Sequence, residues 1–349
     1  MISQFEPDYT RLVKAAQNID TGYIPLYEHL ICVEIISAVI EKDITSLFFG
    51  NQKDVNEYFY YYSEFFKKMG YDTVSFETCI PRTMPGSGAI TNEADGAIKT
   101  RADFNAYPWD ETVDNFFKAY NKYYKGLTNS MPAGMKAIGG IGMSVFECAE
   151  DLVGYENLCY IAMDDPKLYA DIFVKMGDIN FEAWQRLLKE YGDTYCVCRI
   201  ADDLGYKSST LLSKEDVKKH ILPQYKRIID LIHSHKKPVL YHSCGCLFDV
   251  MDDIIAIGID AKHSNEDQIA PFPVWVEKYG DKIGNFGGID TDAVCRLDKA
   301  EMTEYIEAVL NKCTGHGGFA FSSGNSIPNY VPLQNYLNMI EIVRNYRGK

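Results

Sequence analysis

The turn at 242–246 has the sequence His-Ser-Cys-Gly-Cys, in which one histidine and two cysteines occupy every second position. Imidazole nitrogen and thiolate sulfur are favoured zinc ligands, and a His-x-Cys pair at the end of a strand can direct both donors at one ion. The turn therefore predicts a metal site held by His242 and Cys244, with Cys246 as one candidate for a third ligand. The alternative is that His242 is a hydrogen-bonded structural histidine and Cys244 a small buried residue, because this spacing is common.

A zinc site of this kind needs one more protein ligand, and several side chains qualify. Besides Cys246, the candidates are Asp202, Asp203, Glu77 and Glu28. Three protein ligands would leave a fourth position open for a substrate atom, as in catalytic zinc sites. The two aspartates allow other roles as well, because an aspartate before a helix accepts backbone N–H bonds and an aspartate in a cleft can act as a general base.

Seven β-prone runs separated by amphipathic runs would position these residues. The runs lie at 72–76, 136–140, 194–200, 238–242, 260–263, 283–286 and 318–321, and helical patterns include 54–69, 215–235, 247–257, 271–279 and 299–313. Strands that alternate with helices require parallel, right-handed crossovers. No GxGxxG turn follows the first strand, which argues against a dinucleotide-binding sheet. We therefore predict an α/β fold with one (β/α)8 TIM barrel domain over 1–349, in which 1–70 is a helical N-terminal segment and 71–349 the barrel.

The loops after the strands of a parallel barrel share one rim, so polar residues at strand ends converge on one site. Here every strand end in the second half of the chain is polar, including Asp202-Asp203, His263-Ser264-Asn265, Asp290 and Asn325. Residues 80–130, rich in glycine, proline and aromatic residues, are expected to form a loop and a helical excursion over the barrel mouth.

Composition limits the function further. The net charge of -14, without a cluster of lysine and arginine, argues against a nucleic-acid surface. The ten cysteines are too sparse for a disulfide framework and are expected to be reduced thiols. The N-terminal residues lack the pattern of a signal peptide, and no run of 18 apolar residues occurs, so we expect a cytoplasmic protein without a membrane partner.

Five runs together carry a resemblance to a known family: PVLYHSCG, GIDAKHSN, KYGDKIGNFGGID, GGFAFSSGNSIP and PLQNYLNMIE. In this order and spacing they resemble the uroporphyrinogen decarboxylase superfamily, and within it the zinc-dependent, corrinoid-linked methyltransferases. The likeness is strong over residues 195–345 and weaker in IPLYEH and around 139–142. It implies a (β/α)8 barrel whose active cleft lies at the carboxyl ends of the strands.

The resemblance also implies roles for individual residues. His242 and Cys244 match the family's zinc-binding motif, but Asn325 stands where the coenzyme M branch has a second cysteine. This departure argues against activation of the coenzyme M thiol and leaves Asp203, Glu28 or Cys246 to complete the metal shell. Asp203 and Asn325 are then expected to be catalytic, with Asn325 orienting the substrate. The residues expected to bind substrate are Glu28, His29, Asp202, Asn265 and Asp290.

The implied activity is the transfer of a methyl group from a small donor, such as a methyl ether, to Co(I) of a corrinoid carried by a separate protein, with zinc as the bound cofactor. Two alternatives stay open. One is a metal-free decarboxylase-like lyase that uses Asp202 or Asp203 with an uncharged His242, although the arginine-rich motif that grips porphyrin carboxylates is missing near the N-terminus. The other is a non-catalytic, corrinoid-binding protein.

Overall fold

The computed structural model describes residues 5–90, 92 and 94–347. Its strands are Thr73–Cys79 (β1), Lys136–Gly142 (β2), Tyr195–Ala201 (β3), Val239–His242 (β4), Ala261–His263 (β5), Gly284–Ile289 (β6) and Phe319–Ser323 (β7). Its α-helices are Thr10–Ala16 (α1), Val33–Ile40 (α2), Thr45–Phe49 (α3), Gln52–Met69 (α4), Arg101–Ala106 (α5), Thr112–Asn129 (α6), Val145–Val153 (α7), Tyr155–Asp164 (α8), Pro166–Tyr191 (α9), Lys214–Asp216 (α10), Leu222–Ser234 (α11), Met251–Ala256 (α12), Phe272–Tyr279 (α13), Thr291–Arg296 (α14), Lys299–Cys313 (α15) and Leu333–Arg347 (α16).

The seven strands form one parallel sheet whose spatial order follows the chain from β1 to β7. Helices connect successive strands, so the predicted α/β alternation is confirmed, and each predicted strand run overlaps an observed strand. The sheet is curled. Buried residues from β2 through β7, including Ile138, Leu240 and Ala320, share one interior cluster with Tyr27.

An extended N-terminal segment occupies the gap between β7 and β1. Leu26 and Ile31 form parallel bridges to Phe321 and Ile327. On the other side, the Ser75 hydroxyl in β1 donates a hydrogen bond of 2.7 Å to the carbonyl of His29. Within the predicted helical N-terminal segment 1–70, residues 25–31 are therefore not helical and lie extended beside β7.

Helix α1 covers the amino-terminal end of the curled sheet. Leu12, Ala15 and Ala16 on this helix belong to the interior cluster. The helix lies so close to the sheet that a Cβ at Gly284 or Gly318 would stand 2.3 or 2.0 Å from the Ala15 carbonyl oxygen. This end is packed shut, which leaves the carboxyl ends of the strands as the accessible side.

Residues 80–130 contain the expected excursion, with the short helix α5 followed by α6. Helix α6 is the crossover between β1 and β2. The segment therefore also contributes to the layer of helices around the sheet. Among the described residues, no helix combines the length and the apolar run that a membrane span requires.

Candidate metal site

The candidate site lies where β3, β4 and β5 end side by side. His242 is the last residue of β4 and pairs with Ala201 at the end of β3 and with His263 at the end of β5. Side chains alternate between the two faces of a strand. Because Leu240 and Ala261 belong to the interior cluster, His242 and His263, two residues further on, face the same interior.

A glycine contact draws the turn after β4 toward the loop after β3. Gly245 has a φ of 83°, and a Cβ there would lie 2.2 Å from the carbonyl carbon of Gly205. Only glycine tolerates both the left-handed backbone and this close approach. The backbone N–H of Cys244 donates 2.8 Å to Oδ1 of Asp203, so the two loops place these side chains together.

Three predicted residues form a compact group of metal-binding donors. His242 Nε2 lies 3.7 Å from Cys244 Sγ and 3.8 Å from Asp203 Oδ1, and the donor atoms all lie within 4.8 Å of one another. Asn325 Nδ2 is 3.4 Å from Cys244 Sγ on the open side of the group. Imidazole, thiol and carboxylate are the ligand types that zinc accepts, and three of them leave one position free. The residues therefore fit a zinc ion.

Without a metal ion, the surroundings of Cys244 and Asp203 favour the protonated form of each side chain. Burial, together with the neighbouring Asp203 carboxylate, raises the pKa of the Cys244 thiol well above its usual range. Burial also raises the pKa of Asp203. A bound divalent cation reverses such shifts, because a thiol deprotonates when it coordinates metal.

His29, His242 and His263 form a second cluster of neighbouring donors, but its geometry does not suit one ion. The rings of His29 and His242 are stacked, with centroids 3.9 Å apart and planes 14° from parallel. Since imidazole lone pairs lie in the ring plane, stacked rings do not direct them at one point. His242 Nδ1 and His263 Nδ1 are 2.8 Å apart, which is a hydrogen-bond distance.

The buried histidines are held neutral by their surroundings. Burial lowers the pKa of His263 to about 3, and the charges of Lys262 and Arg199 act in the same direction. Burial likewise lowers the pKa of His242 and of His29 well below the usual value. Neutral imidazole is the form that binds metal.

A buried ion pair lies beneath the histidines. Arg199 in β3 is fully buried and contacts Oε2 of Glu77 at 2.8 Å, and it donates to Tyr27 and Ser75 at 2.7 and 2.8 Å. The other oxygen of Glu77 is 3.6 Å from His29 Nε2. Glu77, a candidate metal ligand from the sequence, is thus the partner of Arg199, and His29 joins the site through its stacking on His242.

Asp202, a predicted substrate-binding residue, makes hydrogen bonds to the helical layer. Its oxygens accept 2.7 Å bonds from the backbone N–H groups of Phe146 and Glu147 and a 2.6 Å bond from the Tyr225 hydroxyl. Burial raises the pKa of the Asp202 carboxyl to about 7, against the opposing effect of these donors. The fully buried Asp202 side chain caps the start of α7. It faces the helical layer while Asp203 faces the metal-binding group, because neighbouring residues of an extended chain point to opposite faces.

Glu28 and Cys246 lie outside the group formed by Asp203, His242 and Cys244. Glu28 accepts bonds from the backbone N–H and the hydroxyl of Ser323, at 2.9 and 2.6 Å, so both of its oxygens tie the N-terminal segment to β7. Burial raises the pKa of Glu28 to about 8. Within the described residues, Cys246 belongs to neither group of neighbouring metal donors, and its backbone N–H donates to Tyr206.

Three other predicted residues line one pocket beside the metal-binding group. Asn265, Asp290 and Asn325 border a cavity of about 370 Å³ at the ends of β5, β6 and β7. Asp290 accepts from the N–H groups of Asp267 and Asp292, while Nδ2 of the buried Asn265 has no hydrogen-bond partner. Four acidic and two basic side chains line this pocket, which gives it a negative balance. Cavities of this size accept small molecules.

Arg199 is a component of the site that sequence reasoning did not select. His263 was expected to lie near the site as one of the polar strand ends, since it ends a β-prone run just as His242 does, but it was given no role there. Arg199 gives no such signal, because an arginine inside an apolar run is usually expected to face outward.

Comparison with known proteins is consistent with a barrel-type enzyme fold. The uroporphyrinogen decarboxylase (URO-D) family model matches residues 86–346, and the chain belongs to this family. The structure is similar to that of a methyltransferase from Methanosarcina mazei, with a TM-score of 0.67 and 15% identity over 98% of this chain and 99% of that chain. It also resembles a putative vitamin-B12 independent methionine synthase from Listeria monocytogenes, with a TM-score of 0.49 and 15% identity over 93% of this chain and 99% of that one. The likeness to the Methanosarcina mazei structure concerns the fold alone, and no curated protein matches the sequence.

Proposed function

We propose that this protein is a methyltransferase that moves a methyl group between a small methylated donor, such as a methyl ether, and the cobalt of a corrinoid carried by a partner protein. The observation that carries the proposal is the group formed by Asp203, His242 and Cys244 at the open end of the sheet. Membership of the URO-D family and the fold shared with a methyltransferase support it.

The reaction needs help at the leaving oxygen. The methyl group passes to Co(I), which supplies the electron pair of the new carbon–cobalt bond, while the pair of the broken carbon–oxygen bond stays on oxygen and a proton is taken up there. An alkoxide is a poor leaving group, so its developing charge must be stabilised. A zinc ion held by Asp203, His242 and Cys244 would supply Lewis-acid stabilisation of that oxygen.

The protein's own groups would hold the donor beside this centre. Asn325 lies between the metal-binding group and the pocket, so its amide can orient a polar substrate atom near Cys244. Asn265 borders the same pocket, and its buried Nδ2 has no hydrogen-bond partner. The carboxyl ends of the strands are also the face from which a corrinoid domain would reach the methyl group, because α1 closes the opposite end.

Metal analysis tests the proposal directly. We expect about one zinc per chain in purified protein, lost in His242→Ala and strongly weakened in Cys244→Ser, because each change removes a donor of the group. Cys246→Ser is the matched control and should retain zinc, since Cys246 stands outside that group. Equal losses in the two serine variants would contradict the assignment of Cys244.

An activity assay separates the methyltransferase from the lyase alternative. Zinc-loaded protein should change the absorption spectrum of a corrinoid as its methyl–cobalt bond forms or breaks, and His242→Ala should abolish the change. An enzyme that binds no metal in any preparation, and that decarboxylates a substrate at full rate after chelation, would refute methyl transfer and favour the lyase.

A further inference from the structure

A chain of hydrogen bonds runs from the end of β7 to the metal-binding histidine. His263 Nε2 lies 3.1 Å from the carbonyl oxygen of Ser323, and His263 Nδ1 lies 2.8 Å from His242 Nδ1. His242 Nε2, at the far end of the chain, faces Cys244 Sγ at 3.7 Å and Asp203 Oδ1 at 3.8 Å.

The carbonyl at the start of this chain decides where each hydrogen lies. A carbonyl oxygen only accepts, so His263 Nε2 must carry a hydrogen and donate it to Ser323. In a neutral His263 the other nitrogen, Nδ1, is then an acceptor. The short contact between the two Nδ1 atoms therefore requires His242 to donate from Nδ1, and a neutral His242 is left with a lone pair on Nε2.

The alternative, in which His263 Nδ1 donates to His242 Nδ1, is unfavourable. A hydrogen on both nitrogens of His263 would make it an imidazolium in a fully buried position. Arg199 is already a fully buried cation in the same interior, where it donates to the Tyr27 that packs against His263. Burying an additional charge is costly unless an opposite charge pairs with it, and Glu77 already pairs with Arg199.

We propose that His263 is a positioning residue that holds His242 in the Nδ1–H tautomer, so that His242 Nε2 presents its lone pair to the metal. This inference rests on the proposed zinc site but assigns a task to a residue outside the ligand set. A partner that fixes the tautomer and orientation of a metal-binding histidine is a general requirement of metal sites.

The outer end of the chain is fixed by Glu28. Both oxygens of this buried carboxyl accept bonds from Ser323, at its N–H and its hydroxyl, and thus hold the residue whose carbonyl receives the His263 hydrogen. Tyr27 packs its ring edge-on against His263, with centroids 5.1 Å apart. The N-terminal segment at 25–31 thereby reaches the metal site through β7.

The tautomer can be read in the metal-free protein. Long-range 1H–15N spectra distinguish Nδ1–H from Nε2–H imidazole, and the chain has only 7 histidines. His242→Gln identifies the His242 signal by its disappearance. We expect wild-type His242 as the Nδ1–H form, and an Nε2–H form in wild type would overturn the proposal without any variant of His263.

Two substitutions then test the consequence for metal. His263→Leu removes the acceptor and should weaken zinc binding about 10- to 100-fold, the usual cost of losing such a partner. His263→Asn can place an amide oxygen near the position of Nδ1, so it should keep the Nδ1–H tautomer and stay within a few-fold of wild type. Competition with a chromophoric chelator measures zinc affinity, and circular dichroism verifies that each variant is folded.

The outcomes separate this inference from the proposed function. If wild type and His242→Ala bind no zinc, the proposed zinc site fails, while the tautomer experiment still decides the hydrogen-bond chain. If wild type binds zinc and His242→Ala does not, but His263→Leu retains wild-type affinity, the positioning role is refuted alone. Equal weakening in the leucine and asparagine variants, without a change of tautomer, also overturns it, because packing loss would then explain both.

Discussion

Replacing Asp202 by alanine should destabilise the fold and leave the metal site intact. The substitution removes the acceptor for the N–H groups of Phe146 and Glu147 and for the hydroxyl of Tyr225. Two of these bonds lie at the start of α7, whose interior face is buried, and the third comes from Tyr225 in α11. The helix would begin with orphaned donors in a layer from which water is excluded.

The size of the effect follows from these bonds. Each buried donor left without a partner costs about 1–3 kcal/mol. Because the Tyr225 hydroxyl is free to reorient toward another partner, we expect the free energy of unfolding to fall by a total of about 4 kcal/mol. An unfolding entropy of about 2.1 cal/mol/K per residue gives about 0.7 kcal/mol/K for a chain of this length, so the melting temperature should fall by about 5–6 °C.

Thermal melting and zinc titration of three variants check this prediction. Tyr225→Phe removes one of the three bonds and should lower the melting temperature by only about 1–2 °C. Asp203→Asn is the matched neighbour, since its amide oxygen can still accept from the Cys244 N–H while the charge is lost. It should weaken zinc binding with little change in melting. An Asp202→Ala protein with unchanged melting but reduced zinc affinity would refute the capping assignment.

Two further predictions concern the interior and the mouth. Arg199→Met should destabilise the protein by about 3–5 kcal/mol, because Glu77 is left buried without its partner, and adding Glu77→Gln should recover part of the loss in a denaturant titration. Asn325→Cys places a thiol beside Cys244, and we expect tighter zinc binding together with slower methyl transfer, because a fourth protein ligand closes the position meant for substrate. Weaker zinc binding in Asn325→Cys would contradict the placement of Asn325.

The sequence was sufficient to predict the seven regular strands but not the segment that stands beside them. The regular strands are mostly buried runs bounded by helices, so their pattern is strong. Residues 25–31 form two isolated bridges, one to Phe321 in β7 and one to Ile327 beyond its end. Glu28 and His29 at the centre of the segment are polar, and they contact Ser323 and His242 respectively. A run this short, with polar residues turned inward, has no periodicity that marks a strand.

The direction in which each side chain points decides which site residues could be predicted from the sequence. His242, Cys244 and Asp203 were identifiable from residue type and spacing, and the structure places them together. Asp202 was not separable from Asp203, because neighbouring residues face opposite sides and a one-residue shift in register exchanges them. Only the bonds from α7 and Tyr225 show which aspartate faces outward.

The bond between Glu28 and Ser323 joins residues separated by 295 positions in the chain. During synthesis on the ribosome, β1 and the strands after it are therefore present long before β7 can close the sheet. Until then the two edge strands of the sheet are unpaired, and unpaired edges can pair with other chains. Contacts of such long range form slowly. Production of this protein in a cell should accordingly depend on chaperone supply more than its final stability would suggest.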